Sequence, residues 1–152
     1  AGTRKTVPGL RYFDKKAIRL GGGDPHRDGL SDAFLIKDTH RALLPVADAV
    51  RMAKAYSAYH KVECEVESLA DAVEAADAGA DILMFDNMTP SEVHEAVAEL
   101  SARGLRDRLV LEVSGGITPD TIHLWEGVDV DRISMGALTH SVRCADVSLE
   151  IE

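Results

Sequence analysis

Residues 62–87 read VECEVESLADAVEAADAGADILMFDN. The first part alternates: Val62, Cys64 and Val66 fall on one face, and Glu63, Glu65 and Glu67 on the other, as in a β-strand. Ser68 follows as a helix cap. Leu69, Ala72, Val73 and Ala76 then recur at the helical period, and Gly79 marks the stop. Ile82 to Phe85 is a short continuous apolar run ending at Asp86-Asn87, the pattern of a strand covered on both faces. Strand, helix and strand in this order make a βαβ unit, whose two strands run parallel.

The same unit extends in both directions. Upstream, Ala33 to Ile36 reads as a strand ending at Lys37-Asp38, followed by a helix with Val46, Ala49, Val50 and Ala53 inward. Downstream, Thr89-Pro90-Ser91-Glu92 is a capping box with proline at the first helical position. Val93, Ala96, Val97 and Leu100 carry that helix to Gly104. Leu109 to Val113 and Ile133 to Met135 are the next strands, with a helix expected from Thr118-Pro119 to Gly127. Near the start, Pro8 to Leu20 predicts a helix with Leu10, Phe13, Ala17 and Leu20 inward, and Arg11, Lys15, Lys16 and Arg19 on a solvated face. Five strands fit either an incomplete (β/α) barrel or an open doubly wound sheet, since a complete barrel takes about 200 residues or more.

Composition narrows the function classes. The 152 residues carry a formal charge of −9, which argues against a general nucleic-acid binder. No apolar run approaches the roughly 20 residues of a membrane span. No signal peptide opens the chain, so a cytoplasmic protein is expected. The two cysteines, Cys64 and Cys144, form no zinc-ligand spacing and no disulfide framework. Cys64 is most simply a core residue.

Chemistry-bearing residues collect at the carboxyl ends of the strands, where barrel enzymes keep their sites. Lys37 ends one strand, Asp86 another, and a row of glutamates in a sheet covered on both faces needs cations, a metal or a charged ligand opposite it. Ser114-Gly115-Gly116 and Gly136-Ala137 follow successive strands, with Thr139-His140 beyond. Tight turns alone would explain these glycines, but two such loops in the last βα units match a barrel phosphate site. Thr3-Arg4-Lys5-Thr6 sets two cations beside two hydroxyls, and Gly21-Gly22-Gly23 precedes His26-Arg27. Arg4 and Arg27 suit bidentate pairing with carboxylates. His26, His40 and His140 fall in strand-following loops; His60, His94 and His123 receive no role.

These stretches together resemble one family. Thr3-Arg4-Lys5-Thr6-Val7-Pro8-Gly9-Leu10-Arg11 looks like the TRKTxPGLR signature of quinolinate phosphoribosyltransferase, also called nicotinate-nucleotide pyrophosphorylase (carboxylating). The match continues in order through Gly21-Gly22-Gly23, His26-Arg27, Leu35-Ile36-Lys37-Asp38 with His40, Glu63-Cys64-Glu65-Val66-Glu67, and Asp86-Asn87. Ser114-Gly115-Gly116-Ile117 and Gly136-Ala137-Leu138-Thr139-His140 complete it. The resemblance implies an α/β fold: a parallel (β/α) barrel of the phosphoribosyltransferase type, incomplete at about five or six βα units, with residues 1–152 as a single catalytic-barrel domain. The family's N-terminal α/β domain and first barrel strand are expected to be absent.

The implied reaction transfers phosphoribosyl from phosphoribosyl pyrophosphate (PRPP) to the ring nitrogen of quinolinate, with Mg2+ as cofactor. Pyrophosphate and carbon dioxide leave, giving nicotinate mononucleotide for NAD synthesis. The resemblance assigns Lys5, Lys37, Glu65 and Asp86 to catalysis, and Glu65 and Asp86 to the metal. It gives Thr3, Arg4, Lys5, His26, Arg27 and Lys37 to quinolinate, and Ser114, Gly115, Gly116, Gly136, Ala137 and His140 to the phosphate. It also implies a homo-oligomer, because the family completes the quinolinate site with an arginine from a partner's N-terminal domain. Thr39 and Pro25 stand where the family commonly has asparagine. The competing readings are a molybdate-transport-associated pyrophosphorylase-like protein, another phosphosugar barrel enzyme, and a non-catalytic fragment that binds the phosphoribosyl ligand.

Overall fold

The computed structural model describes residues 1–143 and 145–151. Cys144, one of the two cysteines weighed above, lies outside them. The elements in order are α1 (Arg11–Leu20), β1 (Phe34–Ile36), α2 (Asp38–Arg41), α3 (Val46–Tyr56), β2 (Val62–Val66), α4 (Leu69–Asp77), β3 (Ile82–Asp86), α5 (Pro90–Ala102), β4 (Val110–Ser114), β5 (Arg132–Ile133) and α6 (Ala137–His140). All five strands lie in one parallel sheet in the order β1-β2-β3-β4-β5. A doubly wound sheet reverses its strand order part-way, whereas this sheet never does. The winding is that of a barrel, taken through five strands.

Alternation along the strands divides the sheet into two faces. Val62, Cys64, Val66, Leu83, Phe85, Leu111 and Val113 are all fully buried on the outer face. They meet Val50, Ala72, Ala75, Ala76, Val93, Ala96 and Leu100 of the helices. The alanines of α4 let it sit close between α3 and α5. Burial pushes the Cys64 thiol up to about 12, so this cysteine is an inert core group. The caps form as the sequence predicts. Thr89 Oγ1 accepts from the Glu92 N–H at 3.3 Å, Glu92 Oε2 accepts from the Thr89 N–H at 2.7 Å, and Ser68 Oγ accepts from the Asp71 N–H at 3.1 Å.

Two expectations fail. In α1, Leu10, Phe13 and Leu20 are 46%, 62% and 79% exposed, and Ala17 is exposed as well. The inward residues are Ile18 and Lys15, the latter 1% exposed. Periodicity finds an apolar stripe but not the neighbour that would cover it. Lys15 is drawn inward because its ammonium donates to the carbonyls of Pro25 and Arg27, which have no ladder partner. Second, no α-helix follows Thr118-Pro119; Ile122–Trp125 makes only a short 3-10 turn. The start signal itself is real: the Thr118 N–H donates to Thr121 Oγ1 at 3.0 Å and the Thr118 carbonyl accepts from the Ile122 N–H at 2.9 Å, but the chain turns to extended backbone at Glu126 after a single turn.

The N-terminal segment is laid across the end of the sheet. The Ala1 carbonyl accepts from the Met135 N–H at 2.9 Å and the Ala1 amino group donates to the Ile133 carbonyl. Thr139 Oγ1 donates to the Lys5 carbonyl at 2.7 Å. These bonds bring Thr3, Arg4 and Lys5 to the carboxyl ends of the strands. No helix is long and apolar enough to cross a membrane among the described residues.

Candidate functional site

Parallel register stacks the inner-face side chains into rows. Leu35 lies beside Glu63, and Glu63 beside Ile82. The next row is Glu65, Met84, Glu112 and Arg132, and beyond it Asp86 pairs with Ser114. Glu63, Glu65 and Glu112 are 1%, 9% and 0% exposed, so the inner face holds three buried carboxylates. Glu67, expected in the same row, falls past the strand end and its side chain is 58% exposed.

Each buried carboxylate has its cation. Lys37 Nζ donates to Glu65 Oε1 at 2.5 Å. Arg132 Nη1 lies 3.4 Å from Glu112 Oε2, and Ser134 Oγ donates to Glu112 Oε1. His26 Nε2 is 3.2 Å from Glu112 Oε1 and 3.7 Å from Glu63 Oε1. Burial alone would lower the His26 pKa, but the hydrogen bond to Glu112 and the nearby Glu63 carboxylate carry it up to about 9. Burial likewise works to raise Glu112, and the His26 hydrogen bond reverses it to a net lowering. His26 Nδ1 lies 2.7 Å from the Arg27 N–H, a contact that only the neutral ring can accept. Adjacency in the chain brings those two atoms together. Facing two buried carboxylates, the ring gains more from its second proton than it loses there.

Two adjoining cavities lie over these rows. The first, of about 280 Å³, is lined by Thr3, Arg4, Lys5, His26, Arg27, Lys37, Glu65 and Asp86, together with Leu35, Met84, Glu112, Ser114 and Ser134. The second, of about 350 Å³, is lined by Ser114, Gly115, Gly116, Gly136, Ala137 and His140. Thr3, Lys5, Asp86, Ser114 and Ser134 border both, so the cavities are continuous. Every residue that the resemblance assigned to catalysis, substrate or metal lines one or the other. His40 is the exception among the histidine candidates: it caps α2, its Nδ1 accepting from the Lys37 N–H at 3.0 Å.

The first cavity is built for an anion. Arg4 and Arg27 make no ion pair with any described carboxylate, in a chain whose acids outnumber Lys and Arg by 26 to 17. The Nε of each is buried without a partner. Arg27 spends one Nη1–H on the Ala33 carbonyl, at 3.1 Å, and is held by it.

The second cavity is made of close backbone approaches. Gly115 has φ +99°, and a Cβ there would meet Asn87 Oδ1 at 2.2 Å. A Cβ on Gly136 would meet His140 Nε2 at 2.4 Å. Only glycine fits at position 115, while a side chain at 136 would displace the His140 ring, and the exposed backbone N–H groups suit phosphate oxygens.

Glu65 and Asp86 fit a divalent cation by their chemistry. Burial raises the Glu65 carboxyl and the Asp86 charge raises it further, against the pull of Lys37. A hard cation among oxygen donors would relieve that repulsion. The tightest cluster of possible metal-binding groups among the described residues is a different one, His26, Glu63 and Glu112. Sequence reasoning placed Glu63 in the inward glutamate row without a role of its own and passed over Glu112 and Ser134. The available signal was a lone acid inside an otherwise apolar strand, at Glu112 within Leu109 to Val113.

Comparison with known proteins adds to this geometry. The family model described as "Quinolinate phosphoribosyl transferase, C-terminal domain" matches residues 1–150. A probable nicotinate-nucleotide pyrophosphorylase [carboxylating] of Methanothermobacter thermautotrophicus is 51% identical over 99% of this chain and 55% of its own length. The human nicotinate-nucleotide pyrophosphorylase [carboxylating] is 41% identical over 99% of this chain and 51% of its own. The crystal structure of the nicotinate-nucleotide pyrophosphorylase from Ehrlichia chaffeensis superposes with a TM-score of 0.89 at 34% identity, covering 99% of this chain and 54% of that one. The chain thus spans about half the length of the curated relatives it matches.

Proposed function

Since the chain belongs to the quinolinate phosphoribosyl transferase family, matching its C-terminal domain, we propose that it carries the site at which PRPP and quinolinate react. Phosphoribosyl passes to the ring nitrogen of quinolinate, pyrophosphate leaves, and loss of carbon dioxide gives nicotinate mononucleotide. The observation that carries this reading is the pair of guanidinium groups, Arg4 and Arg27, without carboxylate partners on one cavity wall. Quinolinate is a dianion, and two guanidinium groups free of carboxylate partners, with Lys5 close by, match its charge and planarity.

The roles follow from position. Arg4, Lys5 and Arg27 bind the carboxylates of quinolinate with Thr3 alongside, and orient the ring nitrogen toward the second cavity. His26, whose Nε2 faces Glu112, contributes by holding its loop. Ser114, Gly115, Gly116, Gly136 and Ala137 hold the 5-phosphate through backbone N–H groups, with His140 at the rim. Glu65 and Asp86 accept hydrogen bonds from the ribose hydroxyls. Their charge stabilises the cationic character that grows at the anomeric carbon as pyrophosphate leaves. Lys37 orients Glu65 and favours its charged form against the effect of burial. Magnesium, when bound by Glu65 and Asp86, neutralises charge on the pyrophosphate. Catalysis on this reading is positioning and electrostatics, with no covalent nucleophile.

The same reading makes the protein a cytoplasmic homo-oligomer. The exposed apolar stripe of α1 supports a partner surface, and phosphorylated substrates are cytoplasmic metabolites. Calorimetric titration with quinolinate, then with PRPP and magnesium, tests the assignment. Arg27→Ala is expected to lose quinolinate binding and keep PRPP binding, and Asp86→Asn the reverse. PRPP binding without any quinolinate binding would favour a phosphoribosyl-binding fragment.

A further inference from the structure

The loop bearing His26 and Arg27 is gripped from three sides. From the inner face of the sheet, Glu112 Oε1 lies 3.2 Å and Glu63 Oε1 3.7 Å from His26 Nε2. Both carboxylates are buried, at 0% and 1% exposure, and Glu63 Oε1 has no hydrogen bond of its own. From α1, buried Lys15 donates to the carbonyls of Pro25 and Arg27. From β5, Arg132 pairs with Asp24 at 2.8 Å and with Glu112 at 3.4 Å. Asp24 Oδ1 in turn accepts from the His26 N–H at 2.7 Å.

His26 requires such a grip. Its φ of +59° is left-handed, a region that L residues other than glycine occupy at a cost unless their surroundings impose it. His26 borders the first cavity with its Nε2 turned toward Glu112 and Glu63. The next residue, Arg27, carries the unpartnered Nε on the cavity wall.

We propose that Glu63 and Glu112 are positioning residues: they clamp the His26 ring and so fix residues 24–27 in the conformation that presents Arg27 to the substrate cavity. The functional half of this inference rests on the reading of Arg27 as a quinolinate ligand. The clamp needs no metal. Two carboxylates face the His26 imidazolium and the Arg132 guanidinium, so the local charge is already balanced. Neither glutamate contacts the substrate in the mechanism above; both act through His26.

The test uses this chain with Glu63 and Glu112 both changed to Gln, which keeps their shapes and removes both charges. Amide hydrogen exchange is read at residues 26–29 and, separately, in β3 and β4. Quinolinate and PRPP affinities are read by calorimetry. The loop amides are expected to exchange about tenfold faster or more, with β3 and β4 unchanged. The quinolinate Kd is expected to rise about tenfold, with the PRPP Kd changed by less than about twofold. Loop exchange and quinolinate Kd both within about twofold of the native chain would overturn the inference. Should the native chain bind no quinolinate, the functional reading falls instead, and loop exchange alone decides: unchanged protection sinks the clamp. Should β3 and β4 lose protection too, the same quantities are read on His26→Asn. Asparagine tolerates the left-handed backbone but cannot reach Glu112. Native-like loop protection in that variant would also overturn the clamp.

Discussion

The His26 clamp gives this protein a pH-dependent increment of stability that can be worked out in advance. In the unfolded chain the imidazole titrates near 6.5, and in the folded chain near 9. A group whose folded pKa is raised stabilises the fold fully below its unfolded pKa and loses that contribution as pH rises through the folded one. The window therefore runs from about pH 6.5 to about pH 9. The His26 side chain is 8% exposed, so little of the effect is screened by solvent. A shift of this size corresponds to about 3 kcal/mol, shared between His26 and its glutamate partners. His26→Gln removes the titrating group. The stability difference between native chain and variant, from urea unfolding, should shrink by about 3 kcal/mol between pH 6 and pH 10. With an m-value of about 1–3 kcal/mol/M, the gap between the two midpoints should close by about 1–3 M. Lys15 and the Ala1 amino group, both with pKa values lowered by burial, are present in both proteins, so their contributions largely cancel. A difference that stays flat across the window would refute the reasoning and return His26 to a neutral ring.

Two further outcomes follow from particular contacts. Lys15→Met leaves the Pro25 and Arg27 carbonyls without their donor and should cost about 2–4 kcal/mol in urea unfolding; a loss below about 0.5 kcal/mol would mean that water replaces the ammonium. Gly115→Ala drives a Cβ into Asn87 at a φ of +99°. It should weaken PRPP binding about tenfold in calorimetry, and unchanged affinity would remove that loop from the phosphate site.

Much of this was legible in the sequence because local rules decided it. The capping box at Thr89, the Ser68 cap and the alternation of Val62 to Val66 each depend on neighbours a few residues away, and each forms as read. The loops at the carboxyl ends of the strands were legible for the same reason: Ser114-Gly115-Gly116 and Gly136-Ala137 are small-residue stretches directly after strand runs. What failed depended on distant partners. The α1 periodicity is real, but its apolar stripe faces solvent, and Lys15 goes inward for carbonyls ten and twelve residues away. The Thr118 segment misleads because its cap and first turn do form, but the backbone becomes extended at Glu126 before a second turn. Glu112 was missed because its importance comes from sheet register, which sets it beside Met84 and Arg132 and under the His26 ring, and no local pattern encodes that register.

The most direct test of the central claim compares quinolinate with nicotinate, which lacks the carboxylate at the 2-position, by calorimetric titration of this chain at neutral pH. Two guanidinium groups waiting for two carboxylates predict that quinolinate binds at least about tenfold more tightly. Arg27→Ala should then erase the difference. Equal affinities for the two acids, or a preference that survives Arg27→Ala, would contradict the account.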